Sequence, residues 1–113
     1  MRKFKTGANR NEDINEYDYE GFISPSVLKR FAEYMHQHRF TKDKKIRYSD
    51  NWQKGIPLNS YMKSGFRHFI DWWLEHRGQK SREGLEEALC GLFFNIQGYL
   101  HEILKKKNEK SRK

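Results

Sequence analysis

Three stretches of this chain carry a helical period. From Ser24 to about His38, Val27, Leu28, Phe31, Tyr34 and Met35 recur at offsets of three and four. Ser24-Pro25 supplies a capping hydroxyl followed by proline at the first helical position. From Asn59 to Arg77, Met62, Phe66, Phe69 and Trp73 share one face, while Ser64, His68, Asp71 and Glu75 stack along another. Asn59 or Ser60 serves as the cap, and Gly78 suits the position just past the end. The expectation is that the apolar face packs and the polar face binds. From Ser81 to about Lys106, Leu85, Ala88, Leu89, Leu92, Ile96, Tyr99, Leu100 and Ile103 form the main apolar face. Glu83, Glu87, Cys90, Phe94 and Gly98 run down the opposite side, so this helix is expected to be covered on two sides, centrally or at a dimer interface.

The pattern predicts an all-α fold, a small helical bundle over residues 24–104. A polar N-terminal arm over 1–23 shows no helical or strand period, and a basic tail covers 105–113. Residues 39–57 make a long loop between the first two helices. Its Lys44, Lys45, Arg47, Tyr48, Trp52 and Lys54 mix cations with aromatic rings, a composition that suits a phosphate and a base, or lets Trp52 plug the core while the lysines face water.

Composition changes this picture little. At 113 residues the chain is one domain, and its low hydrophobic share of 35% reflects polar ends around an aromatic-rich middle. No apolar run approaches the ~20 residues that span a bilayer, and the start Met-Arg-Lys-Phe-Lys lacks a signal peptide's hydrophobic stretch. A cytoplasmic protein without a membrane partner is expected. Cys90 has no cysteine to pair with in the chain and lies in an apolar helical segment, where a buried, reduced thiol is expected. The formal net charge is +8, and residues 105–113 hold six basic side chains and one acidic. Such a tail contacts nucleic acid or stays solvated; no base-reading motif accompanies it, which favours solvation.

The chemistry lies in the carboxylates. Asp71 and Glu75 on the second helix, with Glu83 and Glu87 on the third, form a set of oxygen ligands for a hard divalent cation such as Mg²⁺. Solvated ion pairs with Arg67 or lysines are the ordinary alternative for such a stripe. His68 offers a softer ligand, a phosphate contact or a general base. Glu87, placed on a partly covered face, is expected to have a metal ion or another cation beside it, or a strongly raised pKa. Asn95 needs hydrogen bonds if buried, either to a neighbouring helix or to a substrate sugar or phosphate. Ser64, His68 and Asp71, stacked on one helix, provide no oxyanion hole and are not read as a nucleophilic triad.

Several segments in order are similar to a phage and prophage family of dATP/dGTP diphosphohydrolases, related to the MazG-type all-α nucleotide pyrophosphohydrolases. They are Thr6-Gly7-Ala8-Asn9-Arg10, Ser24-Pro25, Asn51-Trp52-Gln53-Lys54-Gly55-Ile56-Pro57, Tyr61, Ser64, Arg67-His68, Trp72-Trp73, Asn95 and Glu102. The resemblance implies Mg²⁺-dependent (or Mn²⁺-dependent) attack of water on a (deoxy)nucleoside triphosphate, releasing a monophosphate and pyrophosphate, in a homo-oligomer of the host cytoplasm. Carried onto this chain, it implies that His68 and Asp71 come from one helix and Glu83 and Glu87 from the next, with His68, Asp71 and Glu87 as the catalytic set; Glu75 joins the metal ligands by spacing alone. Lys54 and Arg67 would bind phosphate oxygens, Trp52 would stack on the base, and Asn95 would contact substrate. The chain departs from the family pattern at Cys90, which stands where MazG-type enzymes carry an aspartate and is a poor Mg²⁺ ligand. That departure leaves either a metal held by altered ligands or a nucleotide-binding or host-interaction module that has lost hydrolysis. Separately, the basic tail and the aromatic loop leave a small nucleic-acid-binding accessory protein as an alternative.

Overall fold

Ser24 caps as its place before proline predicts: its Oγ accepts the Val27 N–H at 3.3 Å, and helix α2 spans Pro25–Gln37. The structure is a computed structural model that describes residues 2–3, 5–10 and 16–111. It is all-α in its body, with α2, α3 (Leu58–His76) and α4 (Leu85–Ser111) as the main helices. The arm has more order than its sequence suggests. Strands β1 (Arg2–Lys3) and β2 (Asn9–Arg10) pair antiparallel, and a single turn, α1 (Tyr19–Phe22), is capped by Asp18. Among the described residues no helix is long and apolar enough to cross a membrane.

The loop between α2 and α3 is also built rather than irregular. Phe40 and Ile46 form an antiparallel bridge, and the Thr41 and Arg47 N–H groups donate to the Lys45 and Arg39 carbonyls at 2.8 Å each. The three residues at its tip end on Lys44 at φ +61°, the left-handed position such hairpins usually give to glycine. Relieving that strain, Lys44→Gly is expected to stabilise the protein by about 0.5–1 kcal/mol, net of the greater freedom of the unfolded chain. Chemical denaturation checks this as a higher midpoint at unchanged slope. A 3₁₀ turn, Asn51–Lys54, then leads through Gly55 to α3.

Helix α4 begins four residues later than its apolar period suggests. Ser81 Oγ accepts the Gly84 N–H at 2.9 Å, and Gly84 sits at φ +89°, so residues 81–84 turn before the helix starts. Glu83 therefore lies in this turn and not on a helix. At the other end α4 continues to Ser111, so most of the basic tail is helical. Cations are favoured at that terminus by the helix dipole, and Lys105 Nζ reaches the Gln53 carbonyl at 3.4 Å.

The largest difference from expectation is the side that α3 turns inward. Tyr61, Gly65 and Asp71 are its buried residues, with Gly65 against Asn95 and Leu92 of α4 and Tyr61 against Gly98. The His68 ring lies over Gly91 and the Tyr61 ring over Gly98, positions where a side chain would overlap the rings. Small residues on α4 thus let the mixed polar face of α3 approach closely. The apolar stripe faces outward, with Phe66 61% and Trp73 49% exposed, and Ile96 and Leu100 of α4 beside it are 61% and 53% exposed. Together these two helices wall an apolar groove of about 570 Å³. Helical period identifies two faces but does not say which one the chain itself covers.

Across the other side of α4, α2 packs Phe31 and Tyr34 on Cys90, with Met35 and Phe94 beside them. Cys90 is a buried free cysteine, as expected, and burial pushes its thiol pKa up. Arg30 fastens this contact, its Nε at 2.6 Å from Glu86 and its Nη2 at 2.8 Å from Glu87.

Candidate functional site

The turn before α4 brings Glu83 back against the middle of α3. His68 Nδ1 lies 2.6 Å from Glu83 Oε1. Three residues further along α3, Asp71 Oδ2 accepts from Arg82 Nε at 2.6 Å, and Arg82 Nη2 is 4.0 Å from Glu83 Oε1. One ligand atom from each of His68, Asp71 and Glu83 falls within 4.8 Å of the others. This cluster joins one imidazole and two carboxylates, a donor set suited to a divalent cation.

Arg82 is the cation that spans the two carboxylates, and the sequence gives no sign of it, since it is one arginine among many in a polar turn. Asp71 is only 4% exposed. Burial is the largest single influence and disfavours its charge, but the Arg82 and Glu83 hydrogen bonds and the nearby charges of Arg82 and His68 together outweigh it and hold its pKa below the ordinary aspartate value. A carboxylate on Nδ1 accepts the proton of that nitrogen and leaves Nε2 as the acceptor.

His68 and Glu83 also line a cavity of about 610 Å³ between α2, the hairpin, the 3₁₀ turn and the α3–α4 pair. That volume lies within the range of small-molecule sites. Trp52 and Asn95 line it, as the sequence reading requires of substrate contacts. Trp52 is wedged edge-on between Phe94 and His101, with centroids 6.0 and 4.8 Å away, so it braces the loop as well as facing the cavity. Asn95 is 5% exposed and donates to the Gly91 carbonyl at 2.7 Å and to Ser64 Oγ at 3.4 Å. Tyr34 closes the wall, and burial pushes its phenol up to about 12, so it remains a donor at neutral pH.

Other nominated residues stand elsewhere. Glu75 is outside the cluster: its Oε1 accepts from the N–H and hydroxyl of Ser81, at 3.1 and 2.9 Å, and so shapes the turn that presents Glu83. Glu87 is also outside it, engaged by Arg30. Its sequence context demanded a partner, and the partner is a guanidinium from α2. Lys54 and Arg67 are exposed and do not line the cavity. Arg39, Arg47, Tyr48 and Ser64 do. Of these, Arg39 carries no signal in the sequence, because only the hairpin returns it to the cavity.

The close seat of His68 on Gly91 makes a direct expectation. Gly91→Ala would force the ring off α4, costing about 1–3 kcal/mol as overpacking does. The loss of the bond to Glu83 would appear in long-range ¹H–¹⁵N spectra as a changed Nδ1 signal, with denaturation measuring the cost.

Comparison of the chain with protein-family models, with curated proteins and with solved structures finds no match.

Proposed function

We propose that the protein is a divalent-cation-dependent nucleoside triphosphate pyrophosphohydrolase, converting a (deoxy)nucleoside triphosphate to the monophosphate and pyrophosphate. The observation that carries this reading is the His68–Asp71–Glu83 cluster, two members of which line a nucleotide-sized cavity walled by aromatic and cationic side chains. Asp71 and Glu83 would hold the cation, leaving substrate phosphates and water to complete its shell. Bound there, Mg²⁺ or Mn²⁺ would neutralise phosphate charge and lower the pKa of a coordinated water. Glu83 orients His68 through Nδ1, so Nε2 takes the proton of the attacking water. Trp52, which lines the cavity, would stack on the base, and Asn95 fixes the floor between α3 and α4.

The test is pyrophosphate release from a panel of ribo- and deoxynucleoside triphosphates with Mg²⁺ or Mn²⁺. Release with one base preferred is expected; no release from any of them, with folded protein and metal supplied, overturns the reading. A second reading is favoured by Arg82, which already compensates both carboxylates. In that case the cavity binds a nucleotide and leaves it intact, and intact nucleotide recovered from a saturated complex would support it.

We also infer a homo-oligomer in which a second copy covers the outward face of α3 and α4. Aromatic side chains each bury about 150–250 Å² when covered. The half-exposed set Met62, Phe66, Phe69, Trp73, Ile96 and Leu100 therefore supplies several hundred Å², approaching the ~800 Å² per partner of a stable interface.

A further inference from the structure

Arg39 and Arg47 face each other across the hairpin. The Phe40–Ile46 bridge sets that register, and the Arg47 N–H donates to the Arg39 carbonyl at 2.8 Å. Like charges directly opposite on paired strands are unfavourable, yet this pair is held firmly in place. Arg39 Nε donates to the Arg47 carbonyl at 2.8 Å, and Arg47 Nη2 donates to the His38 carbonyl at 2.6 Å. Each bond uses one of the five donors of a guanidinium and fixes its plane. Both arginines line the cavity, whose only acidic lining residue among the described ones is Glu83 on the α3–α4 side. The hairpin side of the cavity is thus cationic, while the α3–α4 side holds the carboxylate that the proposed cation needs.

We propose that Arg39 and Arg47 form a clamp for the polyphosphate chain of the ligand, taking the phosphates beyond the one held at the His68–Asp71–Glu83 end. This rests on the nucleotide reading of the same cavity. A planar guanidinium pairs with phosphate oxygens in a fork, and two on one rigid hairpin grip successive phosphates. Such a clamp would favour a longer phosphate chain, since each added phosphate brings further oxygens to the two guanidinium groups. Lys54 and Arg67 are outside this arrangement because neither lines the cavity.

Inorganic tripolyphosphate without metal is the probe, since it binds without reacting. Titration calorimetry on the full chain is expected to give saturable binding that weakens at least tenfold in Arg39→Gln and in Arg47→Gln, with Lys54→Gln and Arg67→Gln within twofold of the parent. Because both arginines brace backbone, Arg39→Lys and Arg47→Lys are measured alongside, with thermal denaturation as a check on folding. Partial recovery of affinity with lysine supports the clamp, as does a weaker affinity of the parent for orthophosphate. No tripolyphosphate binding by the parent, or equal losses in the Lys54 and Arg67 variants, overturns it. Clamp and catalysis fail separately: tripolyphosphate bound at this hairpin by a protein that releases no pyrophosphate leaves the clamp standing and removes the hydrolase. Pyrophosphate release unaffected by either arginine substitution removes the clamp alone.

Discussion

Asp71→Asn is expected to lower pyrophosphate release on the order of 10²–10³-fold, the size of loss that follows removal of one preorganised charge contact in a reacting site. Glu83→Gln should cost as much, because it removes one carboxylate charge from the cluster and replaces the charged acceptor that orients His68 with a weaker amide oxygen. The informative comparison is with Glu75→Gln and Glu87→Gln. Both acids lie on the acidic stripes that the sequence nominates for metal, but Glu75 accepts two bonds from Ser81 and Glu87 is held by Arg30. Their loss should appear mainly in stability, with turnover per folded molecule within a few-fold of the parent. A result the other way round, with Glu87 essential and Asp71 dispensable, would move the chemistry away from the His68 cluster.

Phe66→Asp is expected to convert the assembled protein to monomer. A phenyl ring taken out of water contributes about 1.5–3 kcal/mol, and a carboxylate in its place would have to be desolvated within an apolar groove. Weakening of self-association by about 10- to 10²-fold follows from the first of these effects for one ring alone. Sedimentation equilibrium over a range of concentrations measures this directly. Phe22→Asp is the control, because Phe22 is also exposed but lies in the arm, away from the groove. A parent protein that sediments as a monomer at all concentrations would remove the inferred interface.

How far the sequence reads through to this fold depends on the kind of signal. Local signals read well. Ser24-Pro25 marks the start of α2, Gly78 at φ +76° follows the end of α3, and the apolar setting of Cys90 places it in the core. The demand of Glu87 for a partner was also legible, although the identity of that partner, Arg30 on a distant helix, was not. Orientation was the hidden quantity. The α3 stripe of Met62, Phe66, Phe69 and Trp73 has the appearance of a core face, and only the glycines of α4 explain why the His68 side turns inward. The site was half visible for the same reason. Spacing assembled His68 and Asp71, but Glu83 was assigned to a helix when it belongs to a turn made by Ser81 and Gly84. Arg82 and Arg39 reach their places by chain reversals that leave no periodic trace.

Asn95 lines both the cavity and the apolar groove, while its amide is tied to Gly91 and Ser64. One side chain is therefore a party wall between two spaces, and a change in packing on either side is felt on the other. In an assembly built on the groove, self-association and ligand affinity share a coupling free energy. Where filling the cavity tightens the assembly, dilution loosens the ligand by the same factor.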